Sequence, residues 1–357
     1  MNADRPAVVV TGSSGLLGRP VCRRLAEEGY EVYGFDRVGL PEPPTDLSHV
    51  HDIECDLSDY ATVRGATAEL RRRAGGHLAS VVHLAAYYDF SGEDSPLYEK
   101  VTVEGTDRLL NALADFQLDQ FVFSSTMLIH APTEPGQHIS ESSPLLAKWP
   151  YPKSKIATER LIREAHPRVR SVFLRIGGVY TQWGTQPTLV QQIKRIYERD
   201  FEGHFFPGDQ SSGQSAVYLD DAVEAVLASV ERRENIPPHT AILIGEADPP
   251  SYGELQDAIS QAIHGSDWTT LYIPPAVAKV GATVMDAMQG GEAFIKPFMV
   301  SMADDHYALD ISRAKELLGW QPQHHLMQML PTIIDHLLKD PQRWYAENGL
   351  DPADVKT

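Results

Sequence analysis

Length, composition and charge set the first limits on this protein. The chain has 357 residues, of which 49 are Asp or Glu and 31 are Lys or Arg, so its net charge is −18. This balance argues against a nucleic-acid-binding protein, because phosphate binding needs clustered Lys and Arg and only the run 71–73 forms such a cluster. No apolar run reaches the roughly 18 residues that a membrane span needs, so we predict none.

Cysteine and histidine usage points to a compartment and argues against a metal site. Cys22 and Cys55 are the only cysteines, with no CxxC motif and no secretory segment at the start. We therefore expect a reduced, cytoplasmic location. The fourteen histidines show no metal-ligand spacing, so we predict no metal site.

The first half of the chain alternates two kinds of pattern. Short apolar, β-branched runs predict strands at 7–12, 30–36, 78–86, 119–125 and 170–180. Longer amphipathic stretches predict helices at 15–29, 58–74, 94–116 and 151–164. Strands separated by helices imply right-handed crossovers and a parallel sheet that is covered on both faces. The pattern therefore predicts an α/β protein with a Rossmann-type, doubly wound parallel sheet.

The second half is less regular. We expect a helix at 186–200, a polar loop at 208–215 and a strand followed by a helix at 216–231. A strand at 239–245, a capped helix at 251–263 and a terminal pair of short helices at 310–338 complete the chain order. These elements predict a smaller, mixed C-terminal substrate lobe. We place a dinucleotide-binding domain at 1–180, with a return to the sheet near 216–245, and a mainly substrate-binding lobe at 181–357.

A glycine-rich turn follows the first predicted strand. Gly12 permits a tight turn, Gly15 lets the backbone approach a pyrophosphate, and Gly18 lets the helix pack closely on the sheet. The helix start then offers N–H groups and a positive dipole end to the phosphates. We expect Ser14, Leu16 and Leu17, which lie within this turn, to contact the cofactor as well.

An acidic residue ends the second predicted strand. Asp36 is suited to accept hydrogen bonds from the adenosine ribose and would repel a 2′-phosphate, whereas the adjacent Arg37 would hold one. We favour NAD and leave NADP as the alternative. Asp56 and Leu57 follow an apparent third strand, which lies between the strand at 30–36 and the helix at 58–74 and makes 78–86 the fourth. These two residues either bracket the adenine or form an exposed acidic loop.

Six signals in order carry a family resemblance: TGxxGxxG, Asp36, Asp56, the HLAA run at 83–86, the SST run at 124–126 and a YxxxK motif. Over about residues 7–235 the chain resembles the extended short-chain dehydrogenase/reductase family, the NAD-dependent epimerase/dehydratase group. The resemblance implies cofactor contacts from Leu84, Ala85 and Ala86. It also implies a homodimer through the helices at 94–116 and 151–165.

The YxxxK motif has a chemical interpretation of its own. Tyr151 and Lys155 lie one helical turn apart, so the ammonium and the phenol share a face. The positive charge, together with the oxidised nicotinamide, is expected to lower the pKa of Tyr151 so that it serves as acid and base. By resemblance, Lys155 also holds the nicotinamide ribose and Thr126 binds the reacting oxygen. We expect Ser124 and Ser125 to support the site.

Residues after the fourth strand are candidates for the substrate wall. Tyr88, Asp89 and Phe90 follow that strand at the edge where the crevice of such a sheet lies, although loop aromatics on the surface would read the same way. Within the HLAA run, we interpret His83 as a satisfied core histidine.

Departures from the family pattern narrow the reaction. Met127 and Leu128 replace the Asp-Glu pair of the dehydratases and cannot move protons, which argues against dehydration. Gly178, which we add to the candidate substrate residues, replaces an Asn that contacts diphosphate in nucleotide-sugar epimerases, and the run 214–216 lacks their basic anchor. Lys194, Arg195 and Arg199 on the neighbouring helix either substitute for that anchor or, as the simpler interpretation, form a solvated helix face. The apolar stretch 272–300 either lines a lipophilic pocket or packs in the core.

Three hypotheses remain. The first is an NAD(P)-dependent oxidoreductase acting on a small-molecule secondary alcohol or ketone. The second is an NAD-retaining epimerase of a sugar or nucleotide sugar. The third is a dinucleotide-sensing protein without turnover. The presence of Thr126, Tyr151 and Lys155 together argues against it, because a sensing protein needs no proton relay.

Overall fold

The computed structural model describes residues 5–38, 48–274, 297–300 and 302–355. Its centre is a sheet of seven strands, all of them parallel. In spatial order these strands are β3 (Val50–Glu54), β2 (Glu31–Asp36), β1 (Ala7–Thr11), β5 (Ser80–His83), β7 (Phe121–Thr126), β9 (Ser171–Ile176) and β13 (Thr240–Ile244). The prediction of a doubly wound parallel sheet is confirmed.

Eight short strands form four two-stranded pairs outside this sheet. They are β4 (His77–Leu78) with β6 (Gln117–Leu118), β8 (His138–Ile139) with β15 (Ala308–Leu309), β10 (Gly178–Tyr180) with β12 (Ala216–Tyr218), and β11 (Phe205–Phe206) with β14 (Leu271–Tyr272). The pair of β8 and β15 joins the segment before the YxxxK motif to the C-terminal part of the chain.

Helices fill the connections. The α-helices of the described residues are α1 (Gly18–Glu27), α2 (Tyr60–Ala74), α3 (Glu104–Ala112), α4 (Pro150–Ala165), α5 (Pro187–Tyr197), α6 (Leu219–Glu231), α7 (Tyr252–His264), α8 (Pro297–Val300), α9 (Ser312–Leu318), α10 (Leu326–Lys339) and α11 (Pro341–Glu347). A π-helical segment at Tyr98–Val103 precedes α3, and 3₁₀ turns occur at Met127–Ile129, Phe201–His204 and Pro352–Asp354. None of the helices in the described ranges has the length and apolar character to cross a bilayer.

Alternation along the strands separates two apolar layers. Val8 and Val10 of β1 face α1 and α6, whereas Val9 faces the layer that contains Leu70 of α2 and Leu109 of α3. Such burial on both sides explains the nearly continuous apolar runs in the sequence. A third cluster gathers buried side chains of α5, α7, α10 and α11 around Trp344 and forms the core of the C-terminal lobe.

Several predicted elements have different bounds in the structure. The strand expected at 170–180 splits into β9 and β10, because the backbone changes its partner at this point. The Gly177 N–H still donates to the Ile244 carbonyl of β13, whereas the Gly178 N–H donates to the Ser215 carbonyl. A Cβ on Gly177 would lie 2.9 Å from that Ser215 oxygen. The helix expected at 94–116 begins with the π-helical segment and ends at Ala112. The return near 216–245 reaches the main sheet only through β13. Most of the apolar stretch 272–300 lies outside the described residues.

Candidate active site

The glycine-rich turn joins β1 to α1 in a conformation that only glycine suits. Gly12 has φ of +71°, and its N–H donates to the Phe35 carbonyl at 2.8 Å. A Cβ on Gly12 would lie 2.9 Å from the Ala85 nitrogen, and one on Gly18 would lie 2.0 Å from the Gly12 oxygen. The turn is therefore closed to side chains at both positions, which keeps backbone N–H groups exposed at the start of α1.

Asp36 connects this turn to the end of β2. Its carboxylate accepts hydrogen bonds from the Ser14 N–H at 2.9 Å and from the Arg37 N–H at 2.7 Å. The Ser14 hydroxyl donates to the Val38 carbonyl at 2.6 Å. The carboxylate of Asp36 thus stands beside the turn, while Arg37 is exposed.

The remaining predicted cofactor residues surround the same edge of the sheet. The Ala85 N–H donates to Thr11 Oγ1 at 3.2 Å, and the Leu84 N–H donates to the Thr11 carbonyl at 3.2 Å. Ala86 follows them and is half-buried. Leu16 is exposed and Leu17 packs against the core.

Asp56 and Leu57 follow β3. Asp56 Oδ1 accepts from the Ser58 N–H at 2.8 Å, and Leu57 is buried. The backbone carbonyl of Leu57 accepts a hydrogen bond from Arg108, so the loop is anchored to α3.

These features fit a dinucleotide. No side chain caps the start of α1, so its first N–H groups are available to an anion. The Ser13 hydroxyl is buried without a hydrogen-bond partner among the described residues. With the glycine cradle and the carboxylate of Asp36, the chain offers donors for phosphate and an acceptor for ribose hydroxyls.

Lys155 lies beneath the reacting end of the site. It is buried on α4, and its Nζ donates to the Ser124 carbonyl at 2.7 Å. The same nitrogen is 4.8 Å from the ring centre of Phe123 and 5.7 Å from that of Tyr151. Burial lowers the pKa of Lys155 to about 7, against a smaller raising effect of Glu159. The ammonium is therefore near its titration point at neutral pH.

Tyr151 sits among other aromatic rings at the start of α4. Its ring meets Tyr88 edge-on at 4.9 Å and Trp149 at 5.4 Å. Burial, together with the nearby phenols of Tyr88 and Tyr98, raises the pKa of Tyr151. The apolar surroundings disfavour the phenolate, and the expected lowering by Lys155 together with the oxidised nicotinamide stays a prediction. Tyr151 is thus held as a proton donor.

Thr126 ends β7, next to the two serines. Its Oγ1 accepts from the Leu128 N–H at 3.3 Å, and the residue is 5% exposed. Ser125 donates to Glu159 Oε1 at 2.6 Å, and the carbonyl of Ser124 holds Lys155. The serines therefore tie the strand end to α4.

A buried ionic network behind this strand end was not anticipated from the sequence. Glu159 accepts from Arg175 Nε at 3.1 Å and from Nη2 at 2.7 Å, and both residues are about 4% exposed. Arg175 Nη1 also lies 3.1 Å from His130 Nε2. The spacing of four between Lys155 and Glu159 was the available signal, since both must share a helix face.

His83 has a structural place. Its ring nitrogens lie 2.7 Å from Thr11 Oγ1 and 2.9 Å from Thr106 Oγ1. Burial, with a contribution from Lys155, lowers the pKa of His83 to about 3, so the ring is neutral. This arrangement matches the interpretation as a satisfied core histidine.

A cavity of about 1070 Å³ opens beside Thr126 and Tyr151. Of the four predicted substrate residues, Tyr88, Phe90 and Gly178 line it. Asp89 does not; its carboxylate accepts instead from the Ser91 N–H and hydroxyl, each at 2.9 Å. Apolar side chains in the wall include Leu16, Met127, Leu128, Trp149, Ile196, Phe205, Phe206, Ile273, Met299 and Val300.

Two cations of α5 face this cavity. Lys194 and Arg195 line it, which favours the alternative that they supply a basic anchor over the interpretation as a solvated helix face. The amphipathic pattern of α5 places its apolar side in the lobe core, and the helix edge that carries the cations turns toward the cavity. Lys194 Nζ pairs with Glu198 at 2.9 Å. Arg199, in contrast, lies near His264 at 3.4 Å, outside the lining.

The family model for NAD dependent epimerase/dehydratase proteins matches residues 8–245. The chain belongs to this family. The membership confirms the resemblance drawn from the motifs and the expectation of an enzyme that uses NAD.

Curated relatives cover several reactions. A 2-alkyl-3-oxoalkanoate reductase of Stenotrophomonas maltophilia is 29% identical over 231 residues, which are 63% of this chain and 65% of that protein. A 3-beta-hydroxysteroid dehydrogenase of Mycolicibacterium neoaurum is 22% identical over 365 residues, covering 94% of this chain and 93% of the relative.

Solved structures share the fold. A UDP-glucose 4-epimerase of Thermus thermophilus in complex with NAD superimposes with a TM-score of 0.68 at 22% identity, over 93% of this chain and 99% of that one.

Proposed function

We propose that this protein is an NAD-dependent dehydrogenase/reductase that interconverts an apolar secondary alcohol and its ketone. The observation that carries the proposal is the cavity, in which Thr126 and Tyr151 open onto a wall of mostly apolar side chains. The dinucleotide, when bound, supplies or accepts the hydride. We assign the cofactor to residues 1–180 with 216–245 and the substrate mainly to 181–357.

The chain's own residues handle the proton and the oxygen. In reduction, Tyr151 Oη donates a proton to the carbonyl oxygen, and Thr126 Oγ1 hydrogen-bonds that oxygen. The raised pKa of Tyr151 keeps the phenol protonated, as an acid must be before the step. Lys155 then stabilises the phenolate that donation leaves.

Neighbouring side chains favour simple redox chemistry. Met127 is buried and Leu128 lines the cavity, so neither supplies the extra acid and base that dehydration needs. At Gly178, the substrate wall offers only a backbone where family epimerases carry an Asn. The curated reductase and dehydrogenase among the relatives support this choice.

An NAD-retaining epimerase of nucleotide sugars is the second candidate. It is favoured by Lys194 and Arg195, which face the cavity and would attract a diphosphate. Against it, Lys194 is already paired with Glu198.

A substrate panel separates the two. Purified protein is supplied with NADH and medium-chain ketones, or with UDP-glucose, while the absorbance of reduced nicotinamide and the products are followed. Loss of absorbance matched by alcohol formation supports the reductase. Sugar isomerisation without net absorbance change, on protein that releases stoichiometric NAD only when denatured, would overturn it.

Variants test the mechanism. Tyr151→Phe should lower kcat by at least about 100-fold while leaving the affinity for NAD largely intact, because only proton transfer is removed. Tyr60→Phe, at a tyrosine 60% exposed on α2, serves as the matched control and should retain wild-type turnover. Wild-type rates in Tyr151→Phe would refute the assignment.

Three further properties belong to the proposal. NADP would be excluded by Asp36, unless Arg37 turns toward a 2′-phosphate. A homodimer through the helices at 94–116 and 151–165 is supported by Val101, Ile156 and Leu161, which are half-buried there, and sedimentation velocity tests it. A cytoplasmic location accords with two buried cysteines that form no disulfide.

A further inference from the structure

An ion pair between an exposed lysine and a buried aspartate lies in the wall of the cavity. Lys148 Nζ lies 2.5 Å from Asp305 Oδ1, and both residues line the cavity beside Tyr151 and Thr126. Lys148 is exposed, whereas Asp305 is buried. Lys148 comes from the loop before α4 and Asp305 from the segment before β15, so the pair links these two segments.

The second oxygen of Asp305 has no partner. Asp305 is 5% exposed, and its Oδ2 is buried without a hydrogen bond from any described residue. A buried carboxylate oxygen in this condition is costly, so natural structures seldom keep one without a role. Burial also raises the pKa of Asp305, although its hydrogen bond with Lys148 opposes the effect.

We propose that Asp305 determines substrate specificity by accepting a hydrogen bond at Oδ2 from a hydroxyl group on the substrate, separate from the reacting carbon. The substrate class is thus an apolar ketone or alcohol with a second, neutral hydroxyl. This inference rests on the proposed function, since it concerns the same cavity.

The charge of Asp305 determines which kind of substrate group binds at Oδ2. Oδ2 carries negative charge, so it attracts a donor and repels a carboxylate. Lys148 donates a hydrogen bond to Oδ1 and leaves Oδ2 to accept from another donor. Phe206 and Tyr252, whose ring centres are 5.3 Å apart, line the same cavity. Their rings offer an apolar surface to the rest of the substrate.

The probes are ketones that carry a second hydroxyl at different distances from the carbonyl group. A series of ω-hydroxyalkan-2-ones of about 6 to 12 carbons, which includes 10-hydroxydecan-2-one, varies that distance across the cavity of about 1070 Å³.

The test compares matched ketones on the holoenzyme. For the best member of the series, wild type should show kcat/KM at least about 10-fold higher than for the unsubstituted alkan-2-one, as expected for a hydrogen bond to a charged group. The ω-carboxylate analogue should be no better than the unsubstituted ketone. Equal use of the hydroxylated and plain ketones throughout the series would overturn the proposal.

Variants assign the preference to Asp305. In Asp305→Leu combined with Lys148→Met, which removes both charges of the pair and the acceptor oxygen, the ratio should fall to within about twofold of unity. Asp305→Asn keeps an acceptor oxygen and should retain part of the preference. Asp335→Asn, in the exposed pair with Lys339, is the control for charge loss and should leave the ratio unchanged. A full preference in the double variant would refute the role.

A binding measurement keeps the two proposals apart. If no ketone is reduced, the proposed function fails. Calorimetry that compares the binding of decan-1-ol and decane-1,10-diol to the NAD-loaded protein still tests whether Asp305 binds a second hydroxyl. Tighter binding of the diol by wild type, lost in the double variant, supports Asp305. Equal binding of both alcohols to wild type overturns it.

Discussion

Glu159→Gln removes the charge at the centre of the buried network while keeping the size of the side chain. Arg175 would then remain buried, at 4% exposure, without the carboxylate that it contacts at 2.7 and 3.1 Å. Removing one partner of a buried pair costs about 3–5 kcal/mol. Since the amide oxygen still accepts hydrogen bonds, we expect the free energy of unfolding to fall by about 3 kcal/mol.

The same change should move the pH dependence of catalysis. Glu159 raises the pKa of Lys155 and so opposes the effect of burial. Without the carboxylate, that pKa falls below about 7, and the ammonium is lost at lower pH. In Glu159→Gln, the decline of kcat with rising pH should therefore begin at a lower pH than in wild type.

Urea unfolding and a pH profile of kcat measure both effects. A double-mutant cycle with Arg175→Met should give a coupling energy of at least about 2 kcal/mol, because losing both partners leaves no unpaired charge. Glu164→Gln, in an exposed pair with Arg160 on the same helix, is the control and should change stability by less than about 0.5 kcal/mol. Additive losses, or a Glu159→Gln cost below about 1 kcal/mol, would refute the account of the network.

Other predictions concern the cofactor end and the lysine. Gly18→Ala should weaken NAD binding at least about 10-fold in a fluorescence titration, since its Cβ would lie 2.0 Å from the Gly12 oxygen; Gly65→Ala, with no atom within 4 Å, should instead stabilise the protein by about 0.5–1 kcal/mol. Asp36→Ala should raise the ratio of NADP to NAD efficiency at least about 10-fold, and an unchanged ratio would argue against charge repulsion as the basis of selection. The pKa of Lys155 is about 7 in the folded protein against an ordinary 10.5, so the folded state binds fewer protons between these values. The stability of wild type relative to Lys155→Met should then rise with pH across that window, by up to about 1.4 kcal/mol per unit, and a flat difference in urea unfolding would contradict the depressed pKa.

Local sequence patterns predicted much of the fold. The β-branched runs became strands of one parallel sheet because burial on both faces requires apolar side chains at every position. Ser251 and Glu254 form the capping box that their spacing indicates at the start of α7. The glycine turn and Asp36 also met as expected, because adjacent parallel strands end at the same edge.

Local sequence patterns did not predict the contacts between residues that are far apart in the chain. Asp305 and Lys148 are far apart in sequence, and no local pattern predicts that they meet across a cavity. Lys194 and Arg195 looked like a solvated face because the pattern of α5 shows which side is apolar, not what the polar edge faces. The pKa of Tyr151 likewise depends on aromatic rings brought from other loops.

The central claim, net hydride transfer to a ketone with Tyr151 as the acid, is tested most directly by isotope transfer. The protein is incubated with a medium-chain ketone and NADH deuterated at the reactive carbon of the nicotinamide, and the product is examined by mass spectrometry. The account predicts one deuterium in each alcohol formed by wild type, and at most about one hundredth as much alcohol from Tyr151→Phe in the same time. Protein that isomerises UDP-glucose on retained NAD, and forms no deuterated alcohol from any ketone, would contradict it.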